Sequence, residues 1–211
     1  MRSALSTILI LVATVAPPGD ARPPASEAAP DPAALIRTTA DRVLAAVAEE
    51  RNRYDGNPDP LRKRLDVILE GRVAYEAIAR NVMGDFRRGF DTAQVERFRR
   101  VFRRSVVELY SDAMVALKAE QVNVDPAVPR SDGRATVRME VGTADGESFV
   151  IHYALAQEGS TWKVRNLLVD GINLGVTFRN QFASLMQEED GDPEALLARW
   201  AEVQRSDFET P

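Results

Sequence analysis

The sequence contains no cysteine and only one histidine, His152. The first absence excludes disulfides, thiolate nucleophiles and thiolate-bound metals together. The second excludes a multi-histidine metal centre. No GxxxxGK[ST] segment occurs, so the chain has no phosphate-cradling loop with which to draw on nucleotide hydrolysis. Positive charge is in deficit. The net charge of −5 gives a nucleic-acid partner no overall electrostatic support. What remains is ordinary for a globular protein: 45% hydrophobic and 28% charged residues in a chain of 211, enough for one well-buried core.

The N-terminus suggests export. Arg2 precedes an apolar run, Ala4 to Ala16, that Pro17 and Pro18 break. The run is shorter than the roughly 20 residues a membrane span needs, and it has the length of a signal-peptide core. Gly19-Asp20-Ala21 puts small residues at the −3 and −1 positions of a cleavage site, so residues 1–21 read as a signal peptide. No cysteine follows to carry a lipid anchor. Residues 22–30 are rich in Pro and Ala without periodicity and read as a disordered lead-in. A single domain is expected over 31–205, with 206–211 as a tail.

Helices come first in that domain. Asp31-Pro32 is a cap followed by proline at the first helical position, and Leu35, Ile36, Thr39, Val43, Leu44 and Val47 follow at helical spacing. Asp59-Pro60 repeats the device ahead of Leu61, Leu65, Ile68 and Leu69. A short helix is predicted over Tyr75 to Met83, stopped by Gly84. A long one is predicted from Thr92 to Lys118, with Val95, Phe98, Phe102, Val106, Leu109, Ala113 and Leu117 on one stripe. The period then switches to two. Ala135, Val137, Met139 and Val141 form one strand face, and Phe149, Ile151, Tyr153 and Leu155 another. Trp162 opens a third strand, Val122 to Val124 offer a fourth, and Asp192-Pro193 caps a last helix carrying Leu196, Leu197 and Trp200. This order gives an α+β fold, with helices on one face of a twisted antiparallel sheet of about four strands.

The segment Trp162 to Phe182 is a strand, a turn at Asp170-Gly171, and a helix that puts Phe178 and Phe182 on one face. It lacks histidine and paired carboxylates and reads as the wall of a container. Facing it are Phe98, Phe102, Tyr110 and Met114 of the long helix. Such residues fit a filled core or a lined pocket, and pattern alone favours the filled core.

A resemblance shifts that balance. Asn57-Pro58-Asp59 with Leu61-Arg62, then Val82-Met83-Gly84-Asp85-Phe86, then the spacing of Thr92, Gln94, Phe98, Phe102 and Tyr110, resemble the MlaC (toluene-tolerance) family. Trp162-Lys163-Val164, Gly171 and Arg179-Asn180-Gln181-Phe182 are similar to that family's C-terminal signature. The likeness covers essentially the whole chain after the lead-in. It implies a periplasmic carrier, not an enzyme, that holds phospholipid acyl chains in a cavity between helices and sheet. It also implies the partners: an inner-membrane ABC-transporter complex with its substrate-binding domain protein, and an outer-membrane lipoprotein complex. Maintenance of outer-membrane lipid asymmetry is the implied role. No cofactor and no metal are expected. Departures occur at Arg165-Asn166, where the family often has an aromatic-Asp pair, at Ile172-Asn173, and at Phe178. They leave a hopanoid open as the cargo.

The residues expected to meet acyl chains are Phe98, Phe102, Tyr110, Met114, Val137, Met139, Val141, Phe149, Ile151, Tyr153, Phe178 and Phe182. Arg179 could meet a headgroup phosphate or form a surface ion pair. Trp162 and Gly171 read as structural. The arginines from Arg87 to Arg104 read as a solvated face with Glu96–Arg100 and Arg104–Glu108 pairs, or as a docking surface. Two other classes compete. An enzyme would need a titrating pair inside the pocket, and His152 and Tyr153, adjacent on a strand, point to opposite faces. A structural adaptor would have a filled core.

Overall fold

A computed structural model describes residues 31–51, 57–116 and 118–206. The expected signal peptide, the lead-in, most of the turn before Asn57, Leu117 and residues 207–211 lie outside the described residues. The chain runs α1 (Pro32–Arg51), α2 (Asp59–Leu69), α3 (Tyr75–Met83), a 3₁₀ turn (Gly84–Gly89) and α4 (Thr92–Ala116). The sheet follows as β1 (Ala119–Val124), β2 (Val128–Arg130), β3 (Arg134–Thr143), β4 (Ser148–Glu158), β5 (Thr161–Val169) and β6 (Ile172–Asn173). Two helices close the domain, α5 (Leu174–Glu188) and α6 (Pro193–Ser206).

The helix starts follow from capping chemistry. Asp31 Oδ1 accepts from Ala33 N at 3.0 Å, and Asp192 Oδ1 from Glu194 N at 2.8 Å, each with proline next in the chain. Asp91 and Gln94 exchange backbone N–H donors at 2.8 and 2.9 Å, a reciprocal capping box that starts α4. At α2 the cap differs from expectation. Asn57 Oδ1 takes the Asp59 N–H at 3.0 Å, so the helix begins at Asp59 itself. Along α4, Arg104 pairs with Glu108 at 2.9 Å, whereas Glu96 pairs with Arg99 at 2.6 Å and not with Arg100.

The sheet is antiparallel in the order β1-β3-β4-β5-β6, with the short β2 also paired to β3. Two short strands beyond the expected four complete it. Val137 faces Tyr153, Met139 faces Ile151 and Val141 faces Phe149, so the two apolar faces read from the sequence form one inner face. β5 continues that face with Leu167 opposite Tyr153 and Val169 opposite Ile151. Between Val164 and Asn166 the ladder carries one extra residue, Arg165, a bulge. Asp170 and Gly171 both take positive φ, 45° and 84°, the twist that a two-residue hairpin loop needs. Asp170 Oδ1 also accepts from Val150 N at 2.8 Å, which pins this turn to β4.

The apolar interior is divided. α1 rests on β1 and β3, burying Ala33, Ile36 and Ala40 against Val137, Met139 and Val141. A second core lies among the helices, where Phe98, Phe102, Phe182, Leu196, Leu197 and Trp200 meet with α3 and the 3₁₀ turn. The rings of Phe98 and Phe182 lie 5.0 Å apart and those of Phe98 and Trp200 5.2 Å apart, both edge to face. A third joins α1, α2 and α4 through Val43, Val47, Leu65 and Val107. α4 thus packs on other helices while its C-terminal half stands off from the sheet. Trp200 has 0% exposure, so Trp200→Ala should lower stability by about 3–5 kcal/mol in denaturant titration. A loss under about 1 kcal/mol would mean that the helical core refills the space.

Candidate functional site

Between the standing-off half of α4 and the inner face of β4 and β5 lies a cavity of about 650 Å³. That volume is within the range of roughly 300–1,000 Å³ usual for ligand sites. Its floor is Phe149, Ile151 and Tyr153 of β4 with Val164, Leu167 and Val169 of β5. Its roof is Phe102, Val106, Leu109, Tyr110, Ala113 and Met114 of α4. α1 closes one flank with Leu35, Ile36, Thr39 and Ala40, and α5 the other with Leu174, Gly175, Phe178 and Gln181. Among the described residues Thr177 is the one exposed lining residue, and it marks a rim at the start of α5.

Seven of the residues expected to meet acyl chains border this space: Phe102, Tyr110, Met114, Phe149, Ile151, Tyr153 and Phe178. The structure places the other five elsewhere. Val137, Met139 and Val141 share the inner face, but they lie one strand over, beneath α1. Phe98 and Phe182 belong to the helical core against Trp200. Arg179 is outside the lining. Its Nε donates to the Asn81 carbonyl at 2.8 Å, tying α5 to α3. His152 is likewise not a lining residue, and it pairs across strands with Arg138 and Leu168.

The wall also contains residues not singled out from the sequence. The α1 contribution was hidden because Leu35, Ile36 and Ala40 look like any amphipathic stripe. Val106, Leu109 and Ala113 were legible, since they continue the stripe of Phe102 down α4. Among the described residues, Arg72 and Arg165 are the only charged residues in the lining, and no carboxylate borders the cavity. Arg165 Nη2 donates to Glu158 at 2.7 Å, while its buried Nε has no partner. Glu158 also accepts from Lys163 at 2.7 Å, and that bond holds its carboxyl below the usual range. Arg72 Nη1 donates to the Ile68 carbonyl at 2.7 Å. Arg72 and Leu35 also border a smaller hollow of about 300 Å³ beside Glu70, Gly71, Thr161 and Trp162.

A polar joint sets the angle at which α5 leaves the sheet. Asn166 Nδ2 donates to Asn173 Oδ1 at 2.8 Å, and Asn166 Oδ1 accepts from Gly175 N at 3.0 Å. Asn173 Oδ1 also caps α5 by accepting from Val176 N at 3.2 Å. A Cβ on Gly175 would stand 2.6 Å from Asn166 Oδ1, so glycine is what lets the joint close.

Burial raises the phenols of the lining. Tyr110 is pushed up to about 12 by desolvation, and Tyr153 rises well above its ordinary value for the same reason. Free tyrosine titrates near 10. Below about pH 10 both states hold these protons, so the contribution to stability is complete there. As pH climbs from about 10 toward 12, the unfolded chain releases its protons before the folded one, and stability falls. Denaturant titrations at about pH 9 and about pH 11 should show this loss, and Tyr110→Phe should reduce it. An equal alkaline loss in Tyr110→Phe would show that the Tyr110 phenol titrates like one in water.

Comparison with known proteins gives consistent results. A family model described as MlaC protein matches residues 37–202. The toluene tolerance protein ttg2D of Pseudomonas putida is 32% identical over 175 residues, covering 82% of this chain and 81% of that one. A phospholipid-binding protein from Ralstonia solanacearum, solved in complex with a phospholipid, superposes with a TM-score of 0.73. It shares 23% sequence identity, with 83% of this chain and 97% of that chain covered, and therefore shows the common fold.

Proposed function

Because this chain belongs to the MlaC family, we propose that it is a lipid carrier that holds phospholipid acyl chains in the cavity beneath α4. One observation carries the reading: a cavity of about 650 Å³ between sheet and helices, lined chiefly by apolar side chains and, among the described residues, bordered by no carboxylate. A filled core would leave no such space. An acid–base enzyme would need titrating partners in it, and the lining offers phenols and two arginines. The phospholipid bound to the Ralstonia protein of the same fold supports the choice of ligand.

The physics of transfer suits such a container. Two acyl chains present about 30 methylenes, and at roughly 0.8 kcal/mol each their exposure to water costs on the order of 25 kcal/mol. Unaided desorption is therefore negligible. A carrier has only to offer an environment as apolar as the membrane's, which leaves each hand-off nearly neutral. The chain has no nucleotide-hydrolysing loop, so direction comes from its partners. On this reading it moves lipid through the periplasm between an outer-membrane lipoprotein complex and an inner-membrane ABC-transporter complex. Its place there rests on cleavage of residues 1–21 as a signal peptide. No helix among the described residues is long and apolar enough to cross a membrane.

The chains lie against Phe102, Tyr110, Met114, Phe149, Ile151, Tyr153 and Phe178, and Arg72 and Arg165 supply positive charge in the wall for a phosphate. Solvent extraction of the purified protein followed by lipid mass spectrometry should recover phospholipid. Recovery of a hopanoid would keep the container and change the cargo. No lipid, even after incubation with membranes, would defeat the carrier reading. Ile151→Asp, which places a carboxylate on the cavity floor, should lower the bound lipid several-fold in a folded protein. Unchanged occupancy would show that the chains lie elsewhere.

A further inference from the structure

Two phenols interrupt the hydrocarbon surface of the cavity, Tyr110 from the helical roof and Tyr153 from the sheet floor. Both are enclosed by protein, yet both keep some accessible surface, because that surface faces the cavity. Their hydrogen bonding is incomplete. The Tyr153 hydroxyl reaches only Met139 Sδ, at 3.9 Å, and thioether sulfur is a weak acceptor. Desolvation alone raises the Tyr110 phenol, with no hydrogen bond from a described residue contributing. A third phenol, Tyr75, borders the same cavity with its hydroxyl covered and unpaired, beneath the Arg103 guanidinium 5.4 Å from its ring. Ionising Tyr110 would raise the phenols of both Tyr75 and Tyr153, so the three hydroxyls are within electrostatic reach of one another.

Phenylalanine at these positions would line the cavity without this problem. An unpaired hydroxyl facing alkyl chains is unfavourable. Water can satisfy it in the empty cavity, but a ligand that displaces the water must replace its hydrogen bonds. A methylene cannot. An oxygen on the ligand can, and both phenols hold their protons at neutral pH and are able to donate. The chemistry therefore selects a lipid with an acceptor oxygen inside its apolar body.

We propose that Tyr110 and Tyr153 form a hydrogen-bonding subsite within the cavity that takes a carbonyl oxygen of an acyl ester, so that the protein distinguishes ester lipids from ether lipids of the same shape. The subsite rests on the carrier reading and goes beyond it, because an apolar container alone would not separate the two. A hydroxyl on an alkyl chain would offer the same acceptor chemistry, so the test must distinguish the two sources.

The test is competition for the delipidated protein among three phosphatidylcholines: a diester, its dialkyl ether analogue, and the ether with one mid-chain hydroxyl. Bound lipid is read by mass spectrometry. The protein should prefer the diester over the plain diether by about tenfold, which corresponds to about 1.4 kcal/mol. Tyr110→Phe and Tyr153→Phe, each measured singly and then together, should bring that ratio toward one. Because each variant removes one oxygen and no packing volume, folding is checked by its thermal midpoint. Equal binding of diester and diether by the unaltered protein would overturn the subsite and leave the carrier intact. So would a preference that survives in both variants. Stronger binding of the hydroxylated ether than of the diester would overturn the ester assignment. Failure of all three lipids to bind would overturn the carrier reading and the subsite with it.

Discussion

Everything about the cavity depends on aromatic packing that lies outside it. Phe98 meets Phe182 and Trp200 edge to face, and Phe182 meets Trp200 at a tilt, so the three rings lock α4, α5 and α6 together, with Phe90 and the 3₁₀ turn closing around them. The helices therefore do not need the sheet to bury their apolar surface. At its other end α4 leans on α1 and α2. Held at both ends by other helices, it spans the inner face of β4 and β5 without settling onto it. In most two-layer folds the layers meet because neither has another partner. Here the helical layer is largely satisfied by itself, and the gap persists.

The sheet meets its side of this arrangement by division. Its inner face is apolar across β3, β4 and β5, but α1 covers only the β1–β3 side. The uncovered part is the cavity floor. The outer face carries the complementary pattern, with Arg138 paired to Asp125 and Glu140 at 3.2 and 3.0 Å. One face is apolar on both halves and the other is polar, which fixes the register of the long strands.

This division explains what could and could not be read from the sequence. Strand periodicity identified the inner face correctly, because the alternation in 135–155 belongs to single strands. It could not tell Met139 from Ile151, which are cross-strand partners with the same local pattern, although only Ile151 of the two borders the cavity. The same limit applies along the helices. Phe98 and Phe102 are one turn apart on α4, and Phe178 and Phe182 one turn apart on α5. In each pair one residue, Phe98 or Phe182, stays in the helical core, and the other, Phe102 or Phe178, also borders the cavity, which helical spacing alone does not distinguish. The α1 flank was illegible for a like reason. The caps of α1 and α6, the Asp170-Gly171 turn and the order of elements are local or nearly so, and these were the legible part, whereas the α2 cap was misplaced.

The bulge at Arg165 has a wider consequence. Its neighbours in the ladder, Val164 and Asn166, keep their partners Leu155 and Ala154, so Arg165 is the one residue of β5 that the pairing does not need. It nonetheless borders the cavity. A substitution there can alter the charge of the wall without disturbing strand register, inner-face alternation or the joint that carries α5. Position 165 thus works as a replaceable fitting in an otherwise fixed frame.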